Sequence, residues 1–365
     1  MTLLEKIEER FAFAGTIKKI RPLDRGLINE TFFVETRGEA PNYILQRKNS
    51  YIFKQIPEMM ENIQRVTRHL QEKIKARGGD PTREALTVIP AVDGSPYYQD
   101  EEGAYWVVTL FIEGTLTFDV ADSPTLAYQG GKGIGRFQAM LADFTEPLAD
   151  TLPGFHNMRY RLEQWDTVIQ KDPAGRKAEV AEEIGWIESR REEMLAFWGK
   201  VESGEIPRRV THNDTKISNI LFDRQQQARC VIDLDTVLNS TCLNDFGDAV
   251  RSYANTGLED DKKLDRVSLD LSLFENYAAG YLSEAHAFLL PVEKEHLVFS
   301  VKYITFEQTL RFLMDYLDGD CYYRTTYPGH NLTRTRAQYK LLRSIEENEA
   351  KMKAIIETIL RSQTL

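Results

Sequence analysis

The pattern of apolar and polar residues changes near residue 112. Before this point, short apolar stretches with period-two alternation predict β-strands at 16–23, 31–36, 43–48, 86–90 and 105–112. Two segments have the spacing of amphipathic helices, namely 3–13 and 55–76. The second ends at Gly78-Gly79-Asp80-Pro81, which is a strong stop signal. The N-terminal part is therefore predicted to be a β-rich domain with one main helix.

After Gly114, helical periodicity dominates, at 124–142, 158–170, 176–202, 268–288, 294–317 and 334–361. Strand-like segments are confined to 208–211, 219–223 and 228–234. We therefore expect an α+β protein with a small β-rich lobe at 1–112 and a larger, mainly helical lobe at 113–365. Ligands commonly bind where two such lobes meet.

Composition narrows the class of protein. The 365 residues correspond to about two domains. Lys and Arg total 46 against 56 Asp and Glu, a formal charge of −10, which argues against nucleic-acid binding and against a polybasic membrane anchor. The apolar stretches are only as long as strands, which argues against a membrane helix, and the charged N-terminal segment lacks the apolar core of a signal peptide. The three cysteines are widely spaced and match neither a disulfide framework nor a zinc pattern. We expect a cytoplasmic protein without a membrane segment; the oligomeric state stays open, and a monomer is compatible with the sequence.

One segment carries a recognisable chemical pattern. His212-x-Asp214 is followed by Asn219, and an apolar strand then delivers Asp233 and Asp235. Phosphoryl transfer uses a carboxylate to orient the attacking hydroxyl, and an Asn and an Asp to hold Mg²⁺ on the nucleotide phosphates. Hard oxygen ligands of this kind suit Mg²⁺. Each residue alone is equally typical of turns and helix caps, so the joint spacing carries the prediction.

With these motifs, the sequence resembles the aminoglycoside phosphotransferase and choline kinase superfamily, whose fold is related to that of protein kinases. It is most similar to the N-acetylhexosamine 1-kinase branch. The resemblance spans nearly the whole chain, at 27–31, 43–46, 209–216, 232–236, 245–248, 311–313, 315–317, 319–320 and 327–336.

The resemblance implies a role for each residue of the pattern. Asp214 would be the catalytic base or orienting group. Asn219 and Asp233 would hold Mg²⁺, and Asp235 would be a further metal-site carboxylate. His212 would organise the loop.

Two other motifs are better explained structurally. Asp245-Phe-Gly imitates a kinase metal motif, but it lies 26 residues after Asn219, so we expect Asp245 and Asp248 to brace the loop or the following helix. The glycine-rich segment 130–135 matches neither a Walker nor a Rossmann spacing. It is predicted to allow close packing of helices.

The resemblance also assigns the nucleotide side. The turn at 24–31 would cover the phosphates, with Asn29 and Thr31, although a plain hairpin turn is the alternative. Gln46 occupies the position of the phosphate-binding lysine, and Lys48 lies on the same strand face. The phosphate clamp therefore stays open between Gln46, Lys216 and a basic neighbour. Adenine would bind the backbone near Leu110, Phe111 and Ile112, over Leu221.

The acceptor side depends more heavily on the resemblance. Arg311 would bind sugar oxygens, but periodicity alone favours i,i+4 ion pairs with Glu307 and Asp315. Thr215, Lys216 and Tyr322 are further candidates, because tyrosine offers an apolar face and a polar tip.

The predicted activity is transfer of the ATP γ-phosphate to the anomeric hydroxyl of an N-acetylhexosamine (GlcNAc or GalNAc). ATP and the sugar would be the partners, and Mg²⁺ the cofactor. Alternatives are another small acceptor (choline, homoserine, another sugar or an aminoglycoside) or an inactive nucleotide-binding module. A protein kinase is disfavoured because no clear activation segment follows Asp233.

Overall fold

The computed structural model describes residue 7 and residues 9–23 and 28–363. Most of the predicted helix 3–13 lies outside the described residues, as do residues 24–27 of the predicted nucleotide turn. Ile7 is helical, but Phe11 forms an antiparallel bridge with Ala91, so the prediction that this helix extends to residue 13 is wrong.

The described residues form ten β-strands and ten α-helices. The strands are β1 Ile17–Pro22, β2 Glu30–Thr36, β3 Tyr43–Arg47, β4 Val88–Ile89, β5 Tyr98–Gln99, β6 Tyr105–Leu110, β7 Arg209–Thr211, β8 Ile220–Phe222, β9 Ala228–Val231 and β10 Leu238–Ser240. The helices are α1 Ile56–Ala76, α2 Pro81–Glu84, α3 Pro124–Leu141, α4 Met158–Lys171, α5 Ala181–Glu188, α6 Arg191–Glu202, α7 Cys242–Tyr253, α8 Leu271–Ala285, α9 Pro291–Leu317 and α10 His330–Ser362. The mixed α+β class is confirmed.

The chain separates into two compact units. The first comprises Met1–Leu116, Asp143–Pro153 and Ile220–Leu238, and the second comprises Thr117–Ala142, Gly154–Asn219 and Asn239–Leu365. The chain passes from the second unit to the first directly after Asn219, in the middle of the segment that carries the candidate chemistry. The assignment of 1–112 and 113–365 to nucleotide and substrate binding stays a prediction.

An antiparallel sheet organises the first unit. Its strand order is β1-β2-β3-β6-β4, and β5 pairs with the start of β6. Alternate positions of these strands bury Val34, Leu45, Trp106 and Val108, which form the core of the sheet. The hairpin of β8 and β9 joins the same unit through a bridge between Leu116 and Phe222.

Helices form most of the second unit, and glycines permit their closest approach. A Cβ atom on Gly131 of α3 would collide with the carbonyl oxygen of Tyr277 in α8. One on Gly280 of α8 would collide with the carbonyl oxygen of Tyr128 in α3. The prediction that segment 130–135 serves helix packing is therefore confirmed.

Two features of the second unit differ from the sequence prediction. The predicted helix 176–202 is divided into a 3₁₀ turn at Lys177–Val180, then α5 and α6. At the break, the Arg190 guanidinium donates to the Glu346 carboxylate at 2.7 and 2.8 Å and to the Trp186 carbonyl, so tertiary contacts fix this corner. Helix α7 was not predicted from its pattern. None of the described helices is both long and apolar enough to cross a membrane.

Candidate active site

The loop that follows β7 is held through its backbone by a buried carboxylate of α7. The N–H groups of His212 and Asn213 donate to Asp245 at 3.0 and 2.7 Å. The amide of Gln138 donates to the same carboxylate at 2.8 Å. Asn213 has a left-handed backbone (φ 65°), a conformation that Asn tolerates better than most residues. Asp245 therefore stabilises an unusual turn just before Asp214, as the sequence predicted.

Asp248, one turn further along α7, holds the other side of Asp214. It accepts the Thr215 N–H at 2.8 Å, and Arg251 donates to its second oxygen at 2.9 Å. Burial acts to raise the pKa of Asp248, but the Arg251 guanidinium outweighs it and holds this pKa below the ordinary value. The Thr215 hydroxyl donates to the Asp245 carbonyl at 2.7 Å. Since Thr215 is fully buried, we correct its assignment from substrate contact to loop support.

Asp214 itself keeps an accessible carboxylate. Its side chain is 26% exposed, and its Oδ2 accepts from the Lys216 ammonium and the Asn219 amide, both at 3.1 Å. Its Oδ1 accepts no hydrogen bond from the residues that the structure describes. The Asp214 N–H donates to Nδ1 of the buried His212 at 3.2 Å, which fits the loop-organising role predicted for this histidine. One carboxylate oxygen is thus left for a ligand while the backbone is fixed.

Asn219 suits the metal-ligand role that the resemblance implies. Its amide nitrogen donates to the Asp214 carbonyl at 2.8 Å as well as to the carboxylate, which fixes the orientation of the amide. Its Oδ1 accepts no hydrogen bond within the described part of the chain, so an oxygen of the type that Mg²⁺ prefers is available there.

In the first unit, Asp233 and Asp235 have different surroundings. Asp233 follows β9 with a left-handed backbone (φ 62°) and begins a 3₁₀ turn over Leu234–Thr236. Both oxygens of Asp235 accept from the Lys48 ammonium, at 2.7 and 2.8 Å, and Asn29 donates to one of them at 2.8 Å. The side chains of Lys48 and Asp235 are only 3% and 6% exposed. The prediction that Asp235 binds metal therefore conflicts with its closed set of partners.

The same contacts clarify the strand that lacks the expected lysine. Lys48 also donates to the side-chain oxygen Oε1 of Gln46 at 2.9 Å, and the side-chain Nε2 of Gln46 donates to the Thr31 hydroxyl at 3.4 Å. The charged group in contact with Gln46 is therefore Lys48, which directly follows β3 and lies two residues after the predicted position. Asn29, Thr31 and Gln46 surround it, as members of one polar network.

The described residues contain no group of three or more His, Cys, Asp or Glu side chains placed to hold a metal ion. Magnesium in phosphoryl-transfer sites takes much of its coordination from phosphate and water, and needs only one or two protein carboxylates. Asn219 offers an oxygen of this kind, whereas both oxygens of Asp235 are already engaged by Lys48. The metal-binding role of Asp233 stays a prediction.

Two of the three backbone N–H groups predicted to bind adenine already donate hydrogen bonds within the protein. The Leu110 N–H donates to the Thr87 carbonyl at 2.9 Å, and the Phe111 N–H to the Asn42 carbonyl at 2.9 Å. The Ile112 N–H donates to no acceptor among the described residues. Of the three predicted positions, Ile112 therefore keeps a donor for a base. Leu221, the predicted floor, lies in β8 opposite Cys230.

Arg311 lies on α9 without either of its expected ion pairs. Glu307 instead contacts His156 at 2.6 Å and Arg161 at 3.4 Å. Asp315 accepts the N–H groups of Tyr322 and Tyr323 at 2.8 and 2.9 Å. The helical ion-pair alternative is therefore wrong.

Aromatic rings surround the Arg311 guanidinium. Its carbon lies 5.8, 5.7 and 5.4 Å from the ring centres of Phe155, Tyr322 and Tyr323. The guanidinium donates to the side-chain oxygen of Gln308 at 3.4 Å. A cation with aromatic walls and no carboxylate partner is suited to binding oxygen atoms of a ligand.

Sequence reasoning missed four participants, namely Lys48 as the partner of Asp235, and His156, Arg161 and Glu307 behind the loop. The strand-face relation of Lys48 to Gln46 was the one local signal. The other three come from separate segments, so spacing could not reveal them.

An accessible carboxylate and an oriented amide oxygen on one loop are groups of the kind that phosphoryl-transfer enzymes use. Comparison with known families agrees. The chain belongs to the phosphotransferase enzyme family, whose model matches residues 19–292.

Solved structures share the fold. The microcompartment-associated aminopropanol kinase has 18% identity and a TM-score of 0.62, covering 96% of this chain and 98% of that one. Spectinomycin phosphotransferase, in complex with ADP and spectinomycin, has 13% identity and a TM-score of 0.56, covering 100% and 98%. Choline kinase from Cryptosporidium parvum has 14% identity and a TM-score of 0.55, covering 94% and 93%. The predicted superfamily and fold are confirmed.

Proposed function

We propose that the protein is an ATP-dependent kinase that phosphorylates the anomeric hydroxyl of an N-acetylhexosamine (GlcNAc or GalNAc). The observation that carries the reaction class is Asp214, whose loop is fixed through the backbone while Oδ1 receives no hydrogen bond from the residues that the structure describes. A carboxylate prepared in this way can orient an acceptor hydroxyl and take its proton.

The roles within the reaction follow from the contacts of each residue. Asp214 Oδ1 accepts the hydrogen bond of the acceptor hydroxyl, and the Lys216 ammonium lies 3.1 Å from Oδ2. As the family resemblance implies, Asn219 and Asp233 would hold Mg²⁺, which would neutralise charge on the phosphate oxygens. Lys48 balances Asp235 and adds positive charge to the polar network of Asn29, Thr31 and Gln46. Ile112 offers its N–H to the base, and Leu221 an apolar surface.

Arg311 and Tyr322 support a sugar acceptor. The acetamido and hydroxyl oxygens of an N-acetylhexosamine accept hydrogen bonds, which a guanidinium donates. Tyrosine rings pack against the apolar faces of sugars. Amino-alcohol acceptors, as in the aminopropanol and choline kinases above, carry a cation that Arg311 and the nearby Arg161 would repel. The positive charge of this cluster is therefore the observation that favours the sugar.

The test is an acceptor panel with ATP and Mg²⁺, read by ³¹P NMR. The panel contains GlcNAc, GalNAc, glucose, choline, ethanolamine, homoserine and an aminoglycoside. We expect a sugar 1-phosphate, recognised by coupling of phosphorus to the anomeric proton, and no product with Asp214→Asn. Phosphocholine or phosphoethanolamine as the main product would overturn the acceptor but keep the kinase. Absence of Mg²⁺-dependent ATP turnover with every acceptor would favour the inactive nucleotide-binding module.

A further inference from the structure

His156 joins the catalytic loop to the long helix α9. Its Nε2 lies 3.1 Å from the carbonyl oxygen of Asn213, the residue before Asp214, and its Nδ1 lies 2.6 Å from Glu307 Oε2. The histidine is 5% exposed and has a left-handed backbone (φ 53°). Its own carbonyl accepts the Tyr303 hydroxyl at 2.9 Å, which fixes it further. The imidazole is therefore held from two sides against the loop.

Both partners of the ring can only accept hydrogen bonds. A backbone carbonyl has no proton to give, and a carboxylate that also faces Arg161 is ionised. A neutral imidazole has one N–H, so it can satisfy one of the two acceptors. Only the imidazolium can donate to both, whereas a neutral ring turns the lone pair of one nitrogen toward an acceptor oxygen.

The charged groups around the ring favour this form. Glu307 contacts the ring, and Asp248 of α7 contributes a second negative charge near it. The guanidinium groups of Arg161 and Arg311 in turn stabilise the negative charge of Glu307. Burial lowers the pKa of His156, but the Glu307 carboxylate outweighs it and raises this pKa above the ordinary value. Burial likewise acts to raise the pKa of Glu307, yet His156 and the arginines bring it down to about 2.

We propose that His156 is a positioning residue that holds the Asp214 loop in its active conformation only while the imidazole is doubly protonated. Turnover should therefore decline on the alkaline side as His156 loses a proton. This inference rests on the proposed phosphoryl transfer for its kinetic readout, but the protonation of His156 can be measured without turnover.

Glu307 makes ionic contacts with two groups, His156 and Arg161. It also lies one helical turn before Arg311 on α9. A ligand that contacts Arg161 would thus be joined through Glu307 and His156 to the Asn213 carbonyl.

The kinetic test compares the pH dependence of kcat in four full-length proteins: the natural chain, His156→Gln, Glu307→Gln and His296→Gln. Gln at 156 keeps an amide donor for the Asn213 carbonyl but cannot titrate. We expect its kcat to fall about 10- to 100-fold with little change in KM for ATP, the scale of one charged hydrogen bond. Its alkaline decline should disappear. In Glu307→Gln the decline should move to lower pH, because the imidazolium loses its counter-charge.

His296→Gln is the matched control. His296 also lies on α9, but its Nδ1 bonds the Val292 carbonyl at 2.8 Å within the same helix. Its pH profile should match that of the natural chain. An alkaline decline that survives unchanged in His156→Gln would overturn the proposal.

A second measurement remains informative if a variant fails to fold. ¹⁵N NMR of the natural full-length chain, with the six histidines distinguished by conservative single replacements, reports the protonation of each ring nitrogen. Both nitrogens of His156 should be protonated at pH 7. A neutral tautomer there would overturn the proposal, whereas a protonated ring without any kinase activity would count against the proposed function alone.

Discussion

Asp214 and Asp235 belong to different units and are stabilised in opposite ways. In the first unit, the Asp235 side chain is closed off, because Lys48 contacts both of its oxygens and Asn29 donates to one. In the second unit, buried groups hold the backbone around Asp214 and leave its side chain 26% exposed. The carboxylate of Asp235 is itself neutralised by a cation. The carboxylate of Asp214 is instead positioned through hydrogen bonds to the backbone of the neighbouring residues.

This contrast explains why two aspartates of the same sequence pattern, Asp214 and Asp235, are assigned different roles. Electrostatic neutralisation lowers the free energy of a buried ion but removes its ability to bind a ligand. Backbone support leaves the carboxylate free to act. The predictions below test this difference, from the largest expected effect to the smallest.

Asp214→Asn should abolish most of the activity with little loss of stability. The amide cannot take a proton, so we expect kcat to fall by about 10²- to 10⁴-fold, the usual contribution of a general base. ATP affinity, measured by calorimetry, and Tm should stay close to those of the natural chain. Asp265→Asn, at an exposed site, is the control and should retain normal kcat. Normal turnover in Asp214→Asn would remove Asp214 from the mechanism.

Lys48→Met should instead act on stability. Removing one partner of a buried ion pair leaves Asp235 without its counter-charge, a loss of about 3–5 kcal/mol in the free energy of unfolding. The double variant Lys48→Met/Asp235→Asn should recover much of this loss, since neither charge remains. Denaturant unfolding measures both. Equal stability of the single and double variants would show that the pair is not coupled.

Asp245→Asn should weaken the support of the loop. An amide presents one acceptor oxygen, and its NH₂ group opposes the N–H donors of His212 and Asn213, at a cost of about 1–3 kcal/mol. We expect lower Tm and a reduced kcat with nearly unchanged KM for ATP. If kcat stayed normal despite the lower Tm, the loop geometry would not depend on this carboxylate.

Arg311→Lys should have the smallest effect and act on the acceptor. Lysine keeps the charge but loses the planar set of donors and the contact with the tyrosine rings. We expect KM for the sugar to rise about tenfold, which corresponds to about 1.4 kcal/mol, with KM for ATP unchanged. Arg343→Lys, at a half-exposed position of α10, is the control. An equal rise in KM for ATP would place Arg311 outside the acceptor site.

The sequence predicted regular elements best where one face is buried. The predicted sheet strands and helix α1 have clear periodicity, and their observed bounds lie within about two residues of the predicted ones, whereas the short strand β5 was not predicted. Helix α7 was missed because its sequence, CLNDFGDAVRSY, is rich in Asn, Asp and Gly, which are weak helix formers. These polar residues are buried because they bind the loop and Arg251, and no local pattern encodes such partners.

By itself, the sequence determined the reaction class and the α+β architecture, since both depend on residue types at short, regular spacings. It also predicted that Asp214, Asn219 and Asp233 act as a set, which stays a prediction. Only the tertiary structure decided that Lys48 closes Asp235, that Glu307 and Asp315 leave Arg311 unpaired with carboxylate, and that His156 reaches the Asn213 carbonyl. The physical reason is separation: Lys48 and Asp235 lie 187 positions apart, and His156 and Glu307 lie 151 apart. A buried charge needs a partner to offset its desolvation, and the partners come together only when the chain folds.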